Sequence, residues 1–140
     1  MATIATSRAS RSPSHSNRSL QLALEAARTA AETRGQDIAI LDMREQTAIF
    51  DYFVIVTGSS RRQLHGISEE IERTLKETLG ERRIGQEGYQ ESRWILLDYG
   101  DVVVHLFDTE TRDYYDLEQL WCAAKKVPFE AISPMPRMPK

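Results

Sequence analysis

"WILLDYGDVVVHLFDTETRDYYDLEQLW", Trp94 to Trp121, decides how this chain folds. A tight turn at Tyr99 and Gly100 would pair Asp98 with Asp101, Leu97 with Val102, Leu96 with Val103, Ile95 with Val104 and Trp94 with His105. Side chains then alternate between the two faces of a hairpin. One face carries Ile95, Leu97, Val102, Val104 and Leu106 without a polar atom, as a sheet face beneath helices requires. The other carries Trp94, Leu96, Val103 and Phe107 together with His105, and ends in the two aspartates. Beyond Phe107, Asp108 stands where a helix cap belongs. Leu117, Leu120, Trp121 and Ala124 follow at helical spacing, which predicts one short amphipathic helix. A small domain has one core to fill, so a block apolar on two sides leaves one side in search of a partner.

The segments upstream supply the rest of the sheet and its cover. "FDYFVIVT", Phe50 to Thr57, is dense in aromatic and β-branched residues and reads as a strand inside the sheet. "GSS" follows with a serine placed to cap, and then Leu64, Ile67, Ile71, Leu75 and Leu79 form one helical stripe up to Gly80. "DIAILDM", Asp37 to Met43, reads as another strand. Leu20, Ala23, Leu24, Ala27 and Ala31 mark a first helix, Leu20 to Arg34, with Gly35 as its C-terminal cap. "RIGQEGYQE" reads as an edge-like strand before Trp94. These elements predict a single α/β domain with a mixed β-sheet flanked by helices.

Composition sets the limits of that domain. A chain of 140 residues, 41% hydrophobic, holds one core and not two. "MATIATSRASRSPSHSNRS", Met1 to Ser19, is rich in Ser and Arg, has no acid and no apolar period, and reads as a disordered tail dispensable for folding. Organelle transit peptides share that bias, which keeps a chloroplast or mitochondrial variant beside the main expectation of a cytoplasmic protein. The end from Lys126 to Lys140 carries repeated prolines and reads as a second tail, leaving residues 20–125 as the domain. The net charge of −3 lacks the basic balance of a protein that binds nucleic acid through its phosphates, so no direct sequence-specific nucleic-acid binding is expected. Cys122 stands alone, which excludes an intramolecular disulfide and a zinc site of clustered thiols. No apolar run approaches the roughly 20 residues that span a bilayer.

The same residues bear on chemistry. "TGSS" between strand and helix, with carboxylates later on strands, has the outline of a nucleotidyltransferase, where a Gly-Ser turn holds phosphate and paired acids hold magnesium. Those acids occupy alternate residues of one strand, whereas Asp98 and Asp101 flank a turn. No metal, cofactor or catalytic residue is therefore expected, and a nucleotide-binding or nucleotidyl-transferring enzyme stands as the alternative reading. His105 has no neighbouring nucleophile and reads as a packed, hydrogen-bonded histidine. His65 and His15 carry weaker claims. The two arginines of "SSRRQLHG" read as a solvated helix face whose charge the following acids balance.

Two stretches, "DYFVIVTGSSRRQLHGISEEIE" and "WILLDYGDVVVHLFDTETRDYYDLEQLW", together resemble the ribosomal silencing factor, or Iojap-like, family over the span from Leu20 to Ala124. The strand-to-helix motif, the "DYGDVVVH" hairpin and the "YDLEQLW" helix stand in that family's order and spacing. The resemblance implies a fold related to nucleotidyltransferases without their catalytic acids. It implies a translation repressor that binds the large ribosomal subunit at its protein number fourteen and sterically blocks joining of the small subunit when nutrients are scarce. It also implies a homodimer off the ribosome. Trp94, Asp98, His105, Arg112, Tyr115, Leu117, Glu118 and Trp121 match the family's motif positions, so the partner-binding residues are expected among them. Asp98 and Asp101, as an acidic hairpin tip, would register a basic ribosomal surface.

Overall fold

The computed structural model describes residues 13–128. In chain order the elements are α1 (Pro13–Glu32), β1 (Gln36–Asp42), β2 (Tyr52–Thr57), α2 (Arg61–Leu79), β3 (Gly85–Glu87), β4 (Trp94–Asp98), β5 (Val102–Phe107), α3 (Thr109–Tyr115), α4 (Leu117–Leu120) and β6 (Lys125–Lys126). The strands form one six-stranded sheet in the order β3-β4-β5-β2-β1-β6. β2 and β5 run parallel at its centre and the other pairs are antiparallel. The mixed sheet with helices is the expected architecture, and "RIGQEGYQE" does supply the edge strand β3.

Each helix follows from local chemistry. Ser60, in extended conformation, caps α2 by accepting from the Gln63 amide, and Gly80 ends it at φ 69°, its N–H reaching the Leu75 and Lys76 carbonyls. Leu64, Ile67, Ile71 and Leu75 face inward and are fully buried. Helix α1 lays Ala23, Ala26, Ala27 and Ala30 against the same layer, and side chains this short let it approach the sheet closely. These residues enclose Ile40, Tyr52, Val54, Val56, Ile95, Leu97, Val102, Val104 and Leu106. A fully buried aliphatic of this kind stabilises the fold by roughly 1.5–3 kcal/mol.

Several expectations are corrected. Helix α1 starts at Pro13 and not at Leu20, so residues 13–19 are helical rather than tail, and Ser19 is buried. Proline suits a first helical turn because its missing N–H would have no intrahelical acceptor there. At the far end of α1 the left-handed position is taken by Arg34 at φ 68°, not by Gly35. Gly35 serves space instead: a Cβ there would lie 2.6 Å from Val56 Cγ1 and 2.9 Å from the Ala30 carbonyl oxygen. The domain also extends past residue 125. Lys126 pairs with Leu41, and the Val127 amide donates to the Ile40 carbonyl at 2.9 Å. The remaining tail residues, 1–12 and 129–140, lie outside the described residues.

The hairpin register differs by two residues from the expected one. Trp94 lies opposite Phe107, Ile95 opposite Leu106, Leu96 opposite His105, Leu97 opposite Val104 and Asp98 opposite Val103. Tyr99 donates to the Val102 carbonyl, so the turn residues are Gly100 and Asp101. The reason is steric. A turn at Tyr99 and Gly100 would place tyrosine in the first turn position, where a two-residue hairpin demands positive φ, whereas Gly100 meets it at φ 91°. Because strand side chains alternate with period two, a shift of two leaves both faces as expected.

Candidate functional site

The face of the sheet turned away from α1 and α2 carries a second cluster. Leu41, Met43, Phe53, Ile55, Val103, Phe107 and Ala124 are buried there, with Phe50, Trp94, Leu96, Leu117 and Trp121 half-buried around them. Rings dominate its middle. Phe53 meets His105 edge-on at 4.6 Å and Trp121 at 6.4 Å. Trp94 lies between Phe107, at 4.9 Å, and Tyr115, at 4.8 Å. Such tilted and edge-on contacts are the favourable arrangements of aromatic quadrupoles.

His105 is packed within this cluster and only 4% exposed. Trp94 Nε1–H donates to His105 Nδ1 at 3.1 Å, which assigns the imidazole proton to Nε2. Burial disfavours the imidazolium and pushes its pKa down to about 3. Trp94 reaches His105 diagonally from the neighbouring strand, not from the opposite position expected. The expected packed and hydrogen-bonded histidine is what the structure contains.

One amphipathic helix was expected after Phe107, but the segment breaks into α3 and α4 at Asp116, which takes a left-handed φ of 46°. Asp108 caps α3 as expected, its Oδ1 accepting from the Thr111 amide at 2.8 Å. Neither short helix buries a residue. What ties them down is Arg112, which donates to both carboxylate oxygens of Glu118, at 3.2 and 2.8 Å, and to Thr57 Oγ1 at 2.8 Å. Arg112 and Glu118 are thus spent on an internal brace. The kink turns Leu117 and Trp121 onto the second cluster and leaves Leu120, expected in the inward stripe, 68% exposed. Tyr114 is 79% exposed and Tyr115 half exposed beside Trp94. Together with Arg93, Glu110, Thr111 and Asp113, these tyrosines line an open cleft of about 580 Å³. Exposed Glu110, Asp113 and Asp116 give its surroundings an acidic character.

The two hairpin aspartates part company. Asp98 belongs by alternation to the aromatic face, and its Oδ1 accepts from the Gly100 amide at 2.8 Å. Asp101 belongs to the helix side, where its Oδ2 lies 2.7 Å from His15 Nε2 on α1. The paired acidic tip is therefore not present, and Asp101 is removed from the aromatic face. His15, Asp51 and Asp101 bring metal-ligand atoms within 4.8 Å of one another. Reading Met1 to Ser19 as a tail hides this grouping; Pro13 is the signal in the sequence that a helix begins there.

The "GSS" turn is also closed. Gln63 Oε1 accepts from the Ser59 N–H and hydroxyl, while its Nε2 donates to the Arg34 carbonyl at 2.9 Å. The amide that would cradle a phosphate is occupied by the chain's own side chain. Arg61, at the helix start, donates to the Gln90 carbonyl at 2.7 Å.

Comparison with known proteins agrees with this architecture. The family model described as ribosomal silencing factor during starvation matches residues 16–139. The ribosomal silencing factor RsfS of Bacillus subtilis is 43% identical over 96 residues, covering 69% of this chain and 80% of that protein. RsfS of Chromobacterium violaceum is 39% identical over 105 residues, 75% of this chain and 83% of the relative. A crystal structure of a Chromobacterium violaceum protein superposes with a TM-score of 0.68 at 37% identity, over 81% of this chain and 90% of that one.

Proposed function

This chain belongs to the ribosomal silencing factor family, with the ribosome-associated, translation-regulating role which that membership carries, and on this premise we propose that it represses translation by steric block. It binds the large ribosomal subunit at its protein number fourteen and thereby prevents joining of the small subunit under nutrient limitation. The observation that carries this reading is the aromatic face: Trp94, Leu96, Leu117 and Trp121 remain half-buried, with no long helix over them among the described residues, and Tyr114, Tyr115 and Leu120 stand out beside them. Interfaces use such rings as anchors inside a polar rim. Glu110, Asp113 and Asp116 supply an acidic rim suited to a basic ribosomal protein, with Asp98 at the edge. Trp94, Tyr115, Leu117 and Trp121 are the contact residues in this reading, and Arg112 and Glu118 shape the surface from within.

Off the ribosome the same face closes on a second copy of the chain. The bacterial relatives support work in the cytoplasm, and no helix among the described residues is long and apolar enough to cross a membrane.

Co-sedimentation with purified large subunits, followed by light scattering as small subunits are added, tests the proposal. The protein is expected to pellet with large and not small subunits and to lower the amount of whole ribosome formed. Failure to pellet overturns the docking step; pelleting with undiminished joining overturns the steric block.

A further inference from the structure

The position of His105 calls for a reason. It lies on a strand buried along its whole length, and its neighbours on the same face of that strand, Val103 and Phe107, are apolar. A leucine or phenylalanine would fill the space without burying a polar group. Histidine leaves Nε2 buried without a hydrogen-bond partner among the described residues, a condition that native interiors avoid. What histidine provides here, and leucine or phenylalanine does not, is an acceptor for Trp94 Nε1–H.

The indole it holds is the link between sheet and surface. Trp94 touches Phe107 on its inner side and Tyr115 on its outer side, and it is half-buried, so its ring orientation decides what the face presents. A tryptophan at such a border can sit in either of two ring flips. The bond to Nδ1 selects the one with the pyrrole edge turned inward. Because burial keeps the imidazole neutral, that acceptor persists at any physiological pH.

We propose, building on the docking function above, that His105 is a positioning residue for the ribosomal partner: it makes no contact itself and acts by fixing the Trp94 indole, and through it Tyr115, in the geometry that docks. Its burial keeps it from the partner, and its one hydrogen bond among the described residues goes to the ring that reaches the surface.

The test uses the full chain and two readouts, the indole N–H resonance of Trp94, assigned by its loss in Trp94→Phe, and affinity for purified large subunits. His105→Leu removes the acceptor, His105→Asn returns an amide oxygen near the position of Nδ1, and Trp94→Phe removes the donor while keeping a ring. His105→Leu is expected to move the indole resonance and weaken binding about tenfold in the native background, yet to change it less than about twofold beside Trp94→Phe. His105→Asn restores most of the loss. If His105→Leu does not fold, His105→Phe carries the same comparison. Equal weakening in both backgrounds would reduce His105 to ordinary packing and overturn the proposal, as would a displaced indole resonance with unchanged affinity. If the unmodified chain does not bind large subunits, the docking reading itself falls and the positioning role with it, and the resonance then reports a structural hydrogen bond only.

Discussion

The face of the sheet under α1 and α2 and the face bearing Trp94 are built on the same strands, and they differ in what closes them. Two long helices seal the first with fully buried aliphatics. Among the described residues the second is closed only along one side, by α3 and α4, which bury nothing of their own and are held by a cap, an ionic brace and a few ring contacts. Aliphatic contacts are non-directional and give stability; half-exposed rings keep surface free and give recognition. On the proposed function, the division of labour in this chain follows the type of side chain on each face.

The largest effect expected from this contrast is on the sealed side. Ile67→Ala is expected to cost about 2–5 kcal/mol of stability in denaturant unfolding while leaving affinity per folded molecule unchanged. Trp94→Ala is expected to do the opposite, costing ~2 kcal/mol or more in affinity for large subunits with a smaller fall in stability. If Trp94→Ala unfolded the domain and binding per folded molecule survived, the aromatic face would be plain core and the contrast would fail.

Per unit of pH, a smaller effect is expected from acid. His105 titrates at about 3 when folded, against 6.5 for a free histidine. Between those values the unfolded chain holds a proton that the folded chain refuses. The His105 contribution is therefore intact above pH 6.5 and declines as pH falls towards 3, by about 1.4 kcal/mol per unit. Denaturation curves across that window should lose this share of the slope in His105→Leu; identical slopes would mean that the ring is open to protons. The smallest change is Asp108→Ala, which removes the cap of α3 and is expected to cost about 1 kcal/mol, read as faster amide exchange at Thr111.

Faces were easier to read from the sequence than positions along them. Period-two alternation assigned Ile95, Leu97, Val102, Val104 and Leu106 to the helix side, and that assignment survived a register wrong by two. The register depended on which residue tolerates positive φ, a property of Gly100 that hydrophobic patterning does not record. The break at Asp116 escaped for a similar reason, since a left-handed aspartate leaves the apolar spacing intact. Polar stretches were the least legible. The first turns of α1 have no apolar stripe, and they hold through polar contacts such as Arg18 with Glu81 and His15 with Asp101, partners distant in the chain. For the candidate site, the aromatic character of the face is legible in the sequence, but the sequence does not separate half-buried Trp94 and Trp121 from His105, Arg112 and Glu118 beneath them.

The parallel pairing of β2 with β5 bears on synthesis. Those two strands meet only after α2, β3 and β4 lie between them, and contacts so far apart in the chain form late because a long loop must first be closed. Phe53 comes from the first of these strands, His105 and Phe107 from the second, and Trp121 from beyond both. An incomplete nascent chain therefore has no assembled aromatic face. On the proposed function, a ribosome translating this message stays beyond the reach of its own product until the residues through Trp121 have emerged.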